Sequence, residues 1–70
     1  MAHRNDAIAK AHQNNRDFEL VYDELVGTYI YVFENGVCIY DFLQDSVAMA
    51  KEFALSKFGL AIESWQNLTE

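Results

Sequence analysis

The sequence predicts an α+β fold: an N-terminal helix, a small antiparallel β-meander of about three strands, and a C-terminal helix packed on the sheet. Three observations predict it. Asn35-Gly36 stands between two runs of β-branched and aromatic residues, and this dipeptide supplies the two positive-φ positions of a type I′ hairpin turn. Residues 43 to 58 place apolar side chains on one helical stripe. Half of a 70-residue chain is hydrophobic and none of it is proline, so a chain near the lower size limit for an unstapled core must commit most of its apolar residues to one domain over 1–70.

The first element is read as a helix over 1–16. Asn5 or Asp6 can cap it, and Ala7, Ile8, Ala9 and Ala11 have helix propensity, although the apolar face is thin. Gln13-Asn14-Asn15 weakens its continuation, because asparagine competes for its own backbone hydrogen bonds. Residues 18–26 satisfy two templates. Phe18, Val21, Tyr22 and Leu25 recur at helical spacing, whereas Phe18, Leu20 and Tyr22 alternate with Glu19 and Asp23 as in a strand. A strand over 18–23 is favoured, since a lone hairpin gains much from a third strand. Gly27 then closes the connecting turn; in the helical reading it is a C-cap.

The sheet spans 18–43, and its hairpin register follows from the turn. Phe33 faces Cys38, Val32 faces Ile39, Tyr31 faces Tyr40 and Tyr29 faces Phe42. One face is then Ile30, Val32, Val37 and Ile39; the other is Tyr29, Tyr31, Phe33, Cys38, Tyr40 and Phe42. Both faces are apolar. In the helix over 45–58, Asp45 or Ser46 is the N-cap candidate and Gly59 the C-terminal stop, which lets Leu60 fold back on Leu55. Leu43, Val47, Ala50, Ala54 and Phe58 form its stripe, with Phe53 beside it. Two alanines in that stripe suit a face of bulky rings, so the helix is expected on the aromatic face. The aliphatic face is left to the N-terminal helix, to the tail over 60–70 with Ile62, Trp65 and Leu68, or to a partner. In the tail, Trp65 is expected to anchor the segment and Ser64 to cap a short final turn.

Charge is distributed unevenly. Residues 1–16 carry Arg4, Lys10 and Arg16 against Asp6, a balance of +2. Residues 17–50 carry Asp17, Glu19, Asp23, Glu24, Glu34, Asp41 and Asp45 with no lysine or arginine, a balance of −7. The remainder, Lys51 and Lys57 against Glu52, Glu63 and Glu70, brings the net charge to −6. Such a middle attracts basic surfaces and repels phosphate, which disfavours nucleic acid as a partner. One cysteine permits no internal disulfide, and no stretch approaches the length of a membrane span or a signal peptide. The expectation is a cytoplasmic chain that contacts no membrane.

Catalytic chemistry is poorly represented. His3 and His12 lie at a spacing that no zinc or catalytic motif uses. Cys38 sits in a strand without a basic activator and is expected to be a buried, inert thiol. Asp41 and Asp45 read as a strand-end anchor and a cap rather than an acid–base pair, and no phosphate loop or nucleophile elbow is present. Tyr22, Tyr29, Tyr31 and Tyr40 suit a core rim or a tyrosine-rich protein interface better than a base-stacking platform in these acidic surroundings. No cofactor, no metal and no enzymatic activity are expected.

The run YIYVFENGVCIYDFLQDSVAMAKEFALSKFG with the following Ser64-Trp65 resembles a loose class of small, uncharacterised bacterial hairpin-plus-helix proteins, over about residues 18–66. The shared features are the hairpin, the Asp-Ser cap, an Ala-Lys near the helix start, a closing Phe-Gly and a nearby tryptophan. Some proteins of this sort are similar to immunity proteins, which neutralise a toxin by binding it, and the resemblance carries over no functional residue. The functional expectation is a small acidic protein-binding module, inhibitor- or immunity-like, that meets a basic partner through Glu19, Asp23, Glu24, Glu34, Tyr40 and Asp41. The alternative is a homodimeric structural or adaptor protein, paired through an uncovered face or through the edge strand at 37–43.

Overall fold

The structure, a computed structural model, describes residues 6–68. Its elements in chain order are β1 (Ala7–Gln13), β2 (Arg16–Asp23), β3 (Gly27–Glu34), β4 (Val37–Gln44), α1 (Val47–Phe58), a 3₁₀ turn (Ile62–Ser64) and the short β5 (Gln66–Asn67). The strands form one antiparallel sheet in the order β4-β3-β2-β1-β5. Among the described residues the fold is α+β, with a four-strand meander, a single α-helix after it, and a fifth strand returning to β1.

Within the segment read as an N-terminal helix, Ala7–Gln13 is a strand; the candidate cap Asn5 lies outside the described residues. Asn14 and Asn15 both adopt left-handed backbone, at φ 54° and 65°, and join Gln13 to its cross-strand partner Arg16. This is the same two-residue arrangement as Asn35 (φ 56°) and Gly36 (φ 79°) in the later hairpin. Asparagine enters this region at small cost because its side chain can bond locally. The tendency that weakens a helix at this position here builds a hairpin. Alanine's helix propensity amounts to a few tenths of a kcal/mol per residue over its competitors. It is overridden by a full ladder to β2 and by burial of Ala9 and Ala11 in the core.

β2 is a strand as favoured, ending at Asp23 as expected and beginning two residues earlier, at Arg16. The Asp23 carboxylate accepts the Leu25 amide at 2.8 Å and shapes the turn into β3. Gly27 opens β3 at φ 129°, where a Cβ would stand 2.3 Å from the Gln44 carbonyl oxygen. No other residue type suits this close approach between β3 and the end of β4.

The β3–β4 register departs from the one set by the turn. Glu34 pairs with Val37 and Phe33 with Cys38, but Val32 then pairs with Tyr40, Tyr31 with Asp41, Ile30 with Phe42 and Tyr29 with Leu43. Ile39 is the extra residue of a β-bulge. With a side-chain period of two, one inserted residue exchanges the faces of everything after it. Tyr40 and Phe42 thus join Ile30 and Val32, and Asp41 and Leu43 join Tyr29 and Tyr31. A second bulge, at Ile8, does the same to β1.

α1 covers the mixed aliphatic and aromatic face, not the purely aromatic one expected. Phe18, Leu20, Ile30 and Val32 are buried there with Ala50 and Ala54, and Val47, Phe53, Phe58 and Phe42 pack against them. The alanines admit the rings as anticipated: Phe42 lies 4.8 Å from Phe53 and Phe18 5.4 Å from Phe58, centroid to centroid. Ser46 caps α1 by accepting the Met49 amide at 3.1 Å. Gly59 ends it in left-handed backbone, donating to the Ala54 and Leu55 carbonyls. Leu60 folds back after Gly59, its amide donating to the Ala54 carbonyl at 3.3 Å, and its side chain is buried in the core while Leu55 is exposed. Leu43, assigned above to the helix stripe, lies on β4. Trp65 anchors the tail, edge-on to Phe18 at 6.4 Å. Ser64 is the last residue of the 3₁₀ turn and caps nothing. Tail and helix therefore share one face of the sheet. On the other face Val21, Phe33 and Glu19 are buried and Tyr29 and Tyr31 half-buried.

Candidate functional site

β4 is an edge strand, and among the described residues its outer side pairs with no other strand. It is eight residues long and carries one charge, Asp41. It holds none of the lysines or prolines that commonly guard such edges. Its apolar side chains reach solvent: Val37 is 62% exposed, Leu43 47%, Tyr40 44% and Ile39 37%. The bulge at Ile39 divides it, leaving Tyr40 to Gln44 as a regular ladder against β3. Cys38 is exposed, contrary to the expected burial, because it stands at this edge; its Sγ donates to the Tyr40 carbonyl across the bulge at 3.4 Å.

The two sides of the edge differ in charge. On the helix side, the Tyr40 and Phe42 rings stack at 5.9 Å, with the Arg16 guanidinium 5.8 Å from the Tyr40 centroid and the Lys57 ammonium 5.7 Å from that of Phe42. Both contacts lie within cation–π range. Arg16 also approaches Glu34 at 3.8 Å. On the opposite side, Asp41 is exposed in a cross-strand row with Tyr31 and Glu19. The strand is bordered at its ends by Glu34 and Asp45, both exposed.

The six residues singled out from the sequence fall into two groups and one outlier. Glu34, Tyr40 and Asp41 gather at and beside β4. Asp23 ends β2 and Glu24 opens the β2–β3 turn, next to Tyr22, Val26 and Leu25, the last 88% exposed. Glu19 is only 1% exposed at the centre of the sheet, so it does not present its carboxylate to a partner. Leu43 at the edge and Leu25 and Val26 at the turn were missed. Leu43 fits the helical stripe as well as it fits a strand, and the turn falls inside the stretch with two templates. The cationic pair Arg16 and Lys57 was also missed, because 41 positions separate them in sequence and only the fold brings both to β4. His12 and Asp17 form an exposed cross-strand pair, Nδ1 to Oδ1 2.8 Å. Among the described residues no group of three or more His, Cys, Asp or Glu side chains is placed to hold a metal ion, and no helix is long and apolar enough to cross a membrane.

A free, apolar strand edge with the Asp41 carboxylate exposed on one side is suited to main-chain pairing with an extended segment. Comparison with family models, with curated proteins and with solved structures finds no match for the chain.

Proposed function

We propose that the chain is a small acidic protein-binding module, inhibitor- or immunity-like in its action, that recognises a basic surface on a partner protein and catalyses nothing. The observation that carries this reading is the stretch from Asp17 to Asp45, which holds seven carboxylates and no lysine or arginine and forms β2 after its first residue, Arg16, together with β3, β4 and their turns. Glu24, Glu34, Asp41 and Asp45 in this stretch are exposed, beside apolar side chains that are also exposed. Long-range attraction from such a surface speeds encounter with a cation-rich partner, and the apolar residues supply contact area once the two meet. An exposed free cysteine fits a reducing compartment, in keeping with a cytoplasmic module.

A homodimeric adaptor draws on the same β4 edge. Self-pairing sets Glu34, Asp41 and Asp45 of two copies of a −6 chain close together, a repulsion that a basic partner turns into attraction.

The test is stopped-flow association with binders captured and purified on the immobilised chain, compared with the Glu24→Lys, Glu34→Lys, Asp41→Lys triple variant. The rate constant is expected to fall about tenfold or more between about 20 and 300 mM salt, and the variant to be slowed comparably at low salt. A rate indifferent to both salt and the substitutions contradicts the reading.

A further inference from the structure

We infer that the outer edge of β4 binds an extended segment of the partner as an added strand, with lysine or arginine at alternate positions facing Asp41 and apolar residues between them facing Tyr40 and Phe42. The inference rests on the basic-partner reading and specifies where and in what form the partner is held.

Three features combine. The edge is unpaired among the described residues and regular from Tyr40 to Gln44, so it offers outward backbone donors and acceptors to an incoming strand. An added strand alternates its side chains between the two sides of the sheet. The two sides of β4 carry different chemistry. On the helix side, Tyr40 and Phe42 present stacked rings, and Arg16 and Lys57 already occupy cationic positions over them. Glu34, on this same side, already faces Arg16 at 3.8 Å, so an incoming lysine meets cations already in place and an apolar side chain is accepted. On the other side, Asp41 stands exposed next to Leu43, with no basic side chain on β3 or β4. A lysine or arginine finds its counter-charge there.

The pattern also selects against a second copy of the chain. β4 reads VCIYDFLQ and brings an acid but no cation to the edge. Self-pairing therefore leaves Asp41 without a counter-charge, while an alternating basic and apolar segment supplies one.

The probe is an acetylated, amidated heptapeptide of alternating valine and lysine, titrated into the ¹⁵N-labelled chain at low salt. Three control peptides accompany it: one with glutamate for lysine, one with its lysines contiguous, and one N-methylated at alternate amides so that it cannot pair with an edge. The expected result is saturable binding with shifts centred on 37–44, weakened about tenfold or more by N-methylation, by glutamate and by Asp41→Lys, and unchanged by Gln66→Ala on β5, at the opposite edge of the sheet. Asp41 is exposed, so its substitution leaves the fold intact.

Equal binding of the N-methylated peptide, or shifts centred on the β2–β3 turn, overturns the β4 assignment while leaving a basic partner in place. Absence of binding by every peptide overturns it too, and the basic-partner reading then stands or falls on its own salt dependence. A dimer with β4 already protected in the absence of peptide shows a second copy on the edge and overturns it as well.

Discussion

Asn15 and Gly27 carry more of the topology than any buried side chain. Asn14 and Asn15, both left-handed, close the β1–β2 hairpin. An alanine there pays for a conformation that asparagine reaches cheaply, so Asn15→Ala is expected to lose about 1–2 kcal/mol in urea unfolding, while Asn15→Gly holds its stability. Gly27 combines positive φ with a carbonyl oxygen where a Cβ would be. Gly27→Ala is expected to cost about 1–3 kcal/mol for the backbone conformation, with the steric clash in addition, and so to exceed the Asn15 effect. An equal or smaller loss would show that β3 and the end of β4 can separate. Ser46→Ala removes a cap whose hydrogen bond is seen, and about 1 kcal/mol is expected to go with it in the same assay.

At the scale of elements, turn chemistry was legible where it was unambiguous. Asn35-Gly36 fixed a hairpin, and a cap at Asp45 or Ser46, which the structure places at Ser46, bounded α1 closely together with the Gly59 stop. Asn14-Asn15 offered the same conformation with a residue pair that also ends helices, and the alanines before it favoured the wrong choice. The bulges left no trace in the sequence. Nothing in the composition of Val37–Gln44 signals that Ile39 is unpaired, and that single residue decides which side of β4 meets the helix. For the candidate site, the absence of guarding charge on the edge strand was readable, but the assignment of Asp41 and Tyr40 to opposite sides was not. This geometry predicts a tolerated deletion. Removing Ile39 joins Cys38 to Tyr40 with every other pairing kept, so the shortened chain is expected to fold with Phe42 still under α1 and stability within about 1 kcal/mol. Its straighter edge is expected to raise self-association in sedimentation at high concentration. Loss of the helix-side ring contacts in its spectrum would refute the register. Ala54→Leu, in contrast, inserts volume at a fully buried contact of helix and sheet and is expected to cost about 1–3 kcal/mol in thermal or urea unfolding.

For the whole molecule, the two apolar faces of the β3–β4 hairpin are covered asymmetrically. α1 and the tail share one face. On the other, three tightly paired strands bury Val21, Phe33 and Glu19 among their neighbours' side chains, leaving the apolar surplus at the margins, along β4 and at the β2–β3 turn. A net charge of −6 opposes association between copies, and in the proposed reading a basic partner turns that repulsion into attraction. The measurement that tests this most directly is residue-resolved amide hydrogen exchange of the chain alone, over a range of concentrations. An unpaired edge predicts slow exchange throughout β2 and β3 but alternating slow and fast amides along β4, independent of concentration. Uniform protection of β4, growing with concentration, would mean that the edge is already occupied by another copy and would contradict the account.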